Sequence, residues 1–244
     1  MSLQPHALRT RIKICGLTRE QDVDAAVEAG ADAIGLVLYP QSPRYVSAER
    51  AARLARRLPP FVTPVLLFVN ESLAAVRAAS ELIPNAMLQF HGDESPAYCS
   101  QASDGRHPYM RAARIPLDES QSFDLLKFAA DYPEAQALLL DAHVEGYGGA
   151  GKTFPWSRLP PNASFHAVLS GGLTPANVAD GIVQVRSRFR TLAVDVSSGV
   201  EASATGGALM KGVKDASKIH QFVAAVRSAD ERLARSSHVQ LPAA

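Results

Sequence analysis

The stretch Arg11-Ile12-Lys13-Ile14-Cys15-Gly16-Leu17-Thr18 decides how the rest of the chain is read. Residues 11–14 read as a short strand, because two β-branched isoleucines alternate with Arg11 and Lys13 and share one face. Cys15 stands where the strand ends, and Gly16 permits a sharp turn. Thr18, with Gln21 three residues on, has the spacing of a capping box for a following helix. A strand that runs through a glycine turn into a helix is a βα unit, here with a thiol at its mouth. Lys13 shares Cys15's face two residues away and could supply a positive field. Taken alone, a free cysteine is usually a small buried hydrophobe. Its meaning therefore depends on what the other strand ends carry.

Working outward, the same unit recurs. Apolar strand patterns fall at 33–38, 64–69, 86–90, 108–113, 135–140, 165–169 and 191–196. Several are nearly continuous, as expected of a parallel sheet covered on both sides. Helical spacing falls between them: Val23, Ala26 and Val27; then Ala51, Leu54, Ala55 and Leu58 behind a capping Ser47. A third helix starts at Ser72, and short helices follow at 96–101 and 122–131. Thr174 and Pro175 form a cap and first-turn pair. Asp215 caps a last helix whose Ile219, Phe222, Val223 and Val226 make an apolar stripe. Eight strand–helix pairs at this spacing account for the length. The chain is accordingly expected to be an α/β protein, a single-domain (β/α)8 barrel (TIM barrel) of parallel strands over 11–228. Residues 1–10 and 229–244 are expected to be flexible ends. A doubly wound sheet would want a dinucleotide fingerprint after the first strand, and Cys15-Gly16-Leu17-Thr18 is not one.

Composition narrows the partners. The 244 residues are 47% hydrophobic and 20% charged, with a formal net charge of +1. Such a chain has no bulk attraction to nucleic acid or membrane. The arginines at 50, 53, 56 and 57 read as a solvated helix face. Cys15 and Cys99 are the two cysteines, so neither a disulfide framework nor a zinc site is expected, and no metal ligand set stands out. Met1 to Thr10 lacks the apolar run of a secretion signal, which implies a cytoplasmic protein.

In a barrel of this kind the C-terminal strand ends carry the chemistry. Those ends hold Cys15, Arg44 (alone as a cation in a proline-bounded loop), Gln89 and His91, Asp141, Gly171-Gly172, and Asp195 with Ser197-Ser198-Gly199. Glycines after the last two strands suit phosphate, since backbone N–H groups can approach the anion there and the serines add hydroxyl donors. Asp141 follows an all-apolar strand and should sit in a partly desolvated mouth. The run Gly148-Gly149-Ala150-Gly151-Lys152-Thr153 lacks the first glycine of a Walker loop.

Five segments carry a resemblance. They are Lys13 to Thr18, Gln89-Phe90-His91-Gly92-Asp93-Glu94, Gly148 to Phe154, Ser170-Gly171-Gly172-Leu173-Thr174-Pro175 with Asn177-Val178, and Val194-Asp195-Val196-Ser197-Ser198-Gly199-Val200-Glu201. In order, over residues 11–227, they resemble the phosphoribosylanthranilate isomerases of tryptophan biosynthesis. The resemblance implies a cofactor-free Amadori rearrangement of N-(5-phosphoribosyl)anthranilate to 1-(o-carboxyphenylamino)-1-deoxyribulose 5-phosphate. It makes Cys15 the general base and Asp141 the general acid, and puts Arg44 against the anthranilate carboxylate. Gln89, His91, Gly149, Gly151, Gly171, Gly172, Asp195, Ser197, Ser198 and Gly199 would hold the sugar phosphate. The implied partner is that small molecule, and the chain would be a monomer or homodimer. Two departures stand out: alanine at 150 where the family has threonine, and a longer join at 202–211. Other phosphosugar barrels, or a catalytically inactive barrel that binds a sugar phosphate, are the competing readings. A synthase of indole-glycerol phosphate would use lysines at the strand ends, and a histidine-pathway isomerase an aspartate where Cys15 stands.

Overall fold

A computed structural model describes residues 9–118, 120–143 and 153–238. Eight parallel strands close into a barrel: β1 Arg11–Cys15, β2 Ala33–Val37, β3 Thr63–Phe68, β4 Met87–Phe90, β5 Tyr109–Pro116, β6 Ala137–His143, β7 Ala163–Leu169 and β8 Phe189–Val196. Each strand pairs with the next, and β8 returns to β1 with Lys13 opposite Asp195. The helices are α1 Glu20–Ala29, α2 Ala48–Ala55, α3 Leu73–Leu82, α4 Pro96–Ser103, α5 Leu125–Asp131, α6 Val178–Val185 and α7 Ala216–His238. A single 3₁₀ turn, Trp156–Arg158, is the helical piece found among the described residues between β6 and β7. After β8 the chain makes an antiparallel hairpin, β9 Glu201–Ser203 and β10 Leu209–Lys214.

Strand alternation sorts the core into two parts. Ile12, Ile14, Ile34, Leu36, Leu66, Leu88 and Leu140 point outward and pack with Val23, Leu54, Val76, Ile182 and Phe222 of the surrounding helices. Their neighbours point inward: Val65, Met110, Ala112, Leu139 and Val168 fill the middle of the barrel. Above them Cys15, Val37, Leu67 and Val69 form an upper layer. The period of two thus assigns Lys13 and Cys15 to the interior once Ile12 and Ile14 are outside.

Helix starts follow the sequence in most places. Ser47, Ser72 and Asp215 accept from Arg50 N, Ala75 N and Lys218 N. Two starts differ. Thr18 does not cap α1; its hydroxyl donates to Gly212 O at 2.6 Å, and Arg19 takes the cap position without a side-chain bond. Thr174 and Pro175 lie in a turn before α6, where Thr174 N donates to Asn177 Oδ1 at 2.8 Å. Of the tail expected at 229–244, residues up to His238 continue α7; residues 239–244, like residues 1–8, lie outside the described residues. Ala229 is buried, and the Asp230 carboxylate accepts from Thr10 N at 2.8 Å and from Arg186 at 2.6 Å. That junction docks the helix under the start of β1. No helix among the described residues is long and apolar enough to cross a membrane.

Candidate active site

The thiol side of the rim is built by β1, β2 and β8. Lys13 Nζ donates to Asp195 Oδ1 at 2.8 Å, and Ser170 Oγ, just past β7, donates to Asp195 Oδ2 at 3.0 Å. Cys15 lies on the same inner face as Lys13 and is 4% exposed. Gly35 makes room for both: a Cβ there would come within 2.6 Å of Cys15 Sγ and 3.0 Å of Lys13 Nζ. Burial pushes the Cys15 thiol up from its ordinary value; Lys13 pulls the other way, and Asp195 adds to the rise. Burial would lower Lys13, but Asp195 and Cys15 hold it above the usual lysine range. Burial thus outweighs the positive field of Lys13, and the thiol is not depressed toward thiolate.

The carboxylate side is built by β4 and β6. The Gln89 amide and His91 Nδ1 are hydrogen-bonded at 2.8 Å, and the other ring nitrogen, His91 Nε2, is hydrogen-bonded to Asp141 Oδ2 at 3.0 Å. Asp141 Oδ1 accepts from Ala142 N at 3.0 Å. Asp141 sits inside β6, two residues before the strand stops, and not at its end. Gly171 backs onto it with φ of +76°; a Cβ there would lie 2.9 Å from Asp141 Oδ1. An alanine at 171 would meet both a strained backbone and the carboxylate.

Between these sides lie the glycine loops. A Cβ at Gly199 would fall 2.0 Å from Leu173 O, so the segments 170–173 and 197–199 touch. Gly171, Gly172, Ser197 and Ser198 are each half-buried. Gly149 and Gly151 lie outside the described residues.

Arg44 joins the rim from the loop after β2. Its stem crosses Gly16, where a Cβ would come within 2.5 Å of Arg44 Cδ and 3.1 Å of Ser197 Oγ. Arg44 is not a solitary cation: Nε and Nη2 donate to the two oxygens of buried Glu201 at 2.7 and 2.9 Å. Lys214 Nζ reaches the same carboxylate at 3.4 Å and Ser197 O at 2.9 Å. Sequence reasoning gave no role to Gly35, Ser170, Glu201 or Lys214. Gly35 had a visible signal, a glycine breaking an apolar strand. Among the described residues no cluster of three His, Cys, Asp or Glu side chains could hold a metal ion.

The structure thus brings Cys15, Asp195, Gln89, His91, Asp141, Arg44 and both glycine loops to one end of the barrel. The profile of the family described as N-(5'-phosphoribosyl)anthranilate (PRA) isomerase matches residues 12–225. The chain belongs to the phosphoribosylanthranilate isomerase family. A curated family member from Leptothrix cholodnii is 61% identical over 224 residues, 92% of this chain and 94% of its own. The crystal structure of the Thermotoga maritima isomerase superposes with a TM-score of 0.76 at 39% identity, covering 90% of this chain and 99% of that one. A family structure in complex with reduced 1-(o-carboxyphenylamino)-1-deoxyribulose 5-phosphate gives 0.70 at 34%, with coverage of 90% and 99%. Another, at 34% identity, TM-score 0.70 and the same coverage, describes monomers generated from the dimeric T. maritima enzyme.

Proposed function

We propose that this family member converts N-(5-phosphoribosyl)anthranilate to 1-(o-carboxyphenylamino)-1-deoxyribulose 5-phosphate, with Asp141 as acid and Cys15 as base. The observation that carries this reading is the pair itself. A buried thiol on β1 and a buried carboxylate on β6 face one mouth from strands three apart around the wall. Asp141 gives a proton to the ribose ring oxygen, and the C1–O bond breaks as nitrogen forms an iminium. The iminium acidifies C2; the Cys15 thiolate takes that proton, and the electron pair returns to nitrogen as an enolamine. Proton transfer to C1 of the enolamine, with loss of the 2-hydroxyl proton, gives the ketose. Each positioned proton transfer is worth about 10²–10⁴-fold.

Around that pair the remaining residues bind. His91, held by Gln89, keeps the Asp141 carboxyl aimed. The loops with Gly171, Gly172, Ser197, Ser198 and Gly199 offer N–H and hydroxyl donors to the phosphate. Asp195 anchors Lys13 beside the thiol. Arg44 keeps N–H groups beyond those given to Glu201, and these meet the anthranilate carboxylate. The reaction belongs in the cytoplasm, where a free thiol stays reduced. Complementation of a tryptophan auxotroph lacking this one step tests the reading. Growth is expected, and failure of a well-expressed chain to restore it contradicts the assignment.

The same family member forms a homodimer through the opposite end of its barrel. Phe61, after Pro59-Pro60 in the loop before β3, is fully exposed and has φ of +71°. A bulky aromatic at positive φ is strained, and such strain persists where the surroundings hold it. A cavity of about 630 Å³ opens at that end, with Met87, Ala137, Val168 and Ala193 in its lining beside the polar Glu134, Gln136, His166 and Thr191, and would receive such a side chain from a second copy.

A further inference from the structure

Glu201 and Lys214 are the buried charges at the rim that acid–base chemistry leaves unused. Glu201 has no exposed surface, and it accepts from Arg44 through two bonds, from Gly212 N at 2.8 Å and from Lys214 Nζ at 3.4 Å. The Lys214 side chain is also fully enclosed. The hairpin that carries these groups is clamped onto the Arg44 loop: a Cβ at Gly212 would come within 3.0 Å of Pro43 O, and Gly212 O accepts from Thr18.

This arrangement has an electrostatic consequence. A guanidinium and a carboxylate joined by two parallel hydrogen bonds cancel each other's charge at a distance. Arg44 and Glu201 alone would offer a substrate carboxylate donors but no net attraction. A second cation on the same carboxylate restores one positive charge, and burial keeps it from being screened.

We propose that Lys214 is a positioning residue for the substrate's aromatic carboxylate, holding Glu201 from behind and leaving the Arg44–Glu201–Lys214 cluster with one net positive charge. The proposal rests on the reading of Arg44 as the carboxylate's partner. The charged groups that face Lys214 come from four elements. Glu201 lies on β9, Arg44 in the loop after β2, and Cys15 on β1. On α1, Asp22 accepts from Lys214 N at 3.2 Å, while Arg19 donates to Lys214 O at 3.2 Å. Burial lowers the Lys214 amine to about 8; Arg44 adds to the fall, while Glu201 and Cys15 oppose it. Burial would raise Glu201, but Arg44, Lys214 and Gly212 N hold it below the usual carboxylate range. The cluster is therefore positive near neutrality and loses that charge as pH rises through the lysine's ionisation.

The test compares two substrates, the phosphoribosyl derivatives of anthranilate and of aniline, which lacks the carboxylate. In the wild type, KM for the anthranilate substrate should rise by up to about tenfold per pH unit above the Lys214 ionisation, while KM for the aniline substrate stays flat. Lys214→Met should raise KM for the anthranilate substrate by about tenfold or more at neutral pH, with a far smaller fall in kcat. Lys214→Arg should restore binding and flatten its pH dependence. Equal losses on both substrates, or an equal weakening of competition by inorganic phosphate, would show that Lys214 serves the Ser197 loop or the fold, and overturn the proposal. The wild-type comparison decides the matter even if the variants do not fold, since identical pH dependence for the two substrates overturns it as well. Arg44→Ala separates the two claims. If it impairs both substrates equally, the carboxylate reading fails and the proposal with it; if Arg44→Ala is selective and Lys214→Met is not, the proposal alone fails.

Discussion

At the scale of single residues, the tension lies at Cys15. The base must give a thiolate, yet the thiol is enclosed and its main neighbour, Lys13, is shared with Asp195. Asp195→Asn removes a negative charge that raises the thiol and frees the Lys13 charge to act on it. Both effects have the same sign, so the Cys15 ionisation should fall. Thiolate absorbance against pH reads this directly. Cys99, which burial pushes up to about 12, stays silent over the range. An unmoved or upward-shifted midpoint would mean that Asp195 does not control the thiol. That Cys15 and Asp141 lie toward the C-terminal part of a barrel strand was legible in the sequence, because each interrupts an apolar strand pattern, although Asp141 proves to stand inside β6 and not beyond it. The Arg44–Glu201 pair was not, since its members are 157 positions apart and only closure of the barrel brings them together. Arg44 therefore read as solitary.

Elements were legible where hydrophobic periodicity dominated, as in all eight barrel strands. They were misread where a tertiary contact outcompeted a local cap, as at Thr18, whose hydroxyl bonds Gly212 O instead. The β9–β10 hairpin left no strand signal: β9 has three residues, the residues the hairpin buries include the charged Glu201 and Lys214 and not an apolar row, and Gly206-Gly207 separates the two strands. The length of α7 was missed because its last turns are polar, with the anchoring Asp230 contact invisible in sequence. One element contact steadies the turn that carries His91. Arg111 of β5 donates to Phe90 O, Gly92 O and Ala112 O at 2.9–3.0 Å and stacks over Phe128 and Tyr132. It also faces Glu94 at 3.6 Å. Arg111→Met should leave those carbonyls and that carboxylate short of a partner, destabilising the fold by about 3 kcal/mol. For a chain of this size that lowers Tm by roughly 10 °C. Because Phe90 and Gly92 flank His91, turnover should fall too. A variant with unchanged Tm would show that the guanidinium is dispensable to this turn.

The whole molecule separates two ends of one barrel. One end gathers thiol, carboxylates and glycine loops; the other presents the exposed Phe61 and an open cavity. If the second end is the dimer interface, Phe61→Asp should give a monomer by sedimentation while leaving each active site intact. A variant that still sediments as a dimer, or a wild type that is already monomeric, would remove that reading. Catalysis belongs to the first end, where β1 and β6 bring an acid and a base to one substrate. The direct measurement is single-turnover conversion of phosphoribosylanthranilate by Cys15→Ala and Asp141→Asn, alongside binding of the reduced product analogue. Each substitution should slow the chemical step by about 10³-fold or more while the analogue still binds. Near-wild-type conversion by Cys15→Ala would mean that the thiol only packs, that the base lies elsewhere on the rim, and that Cys15 and Asp141 are not the catalytic pair.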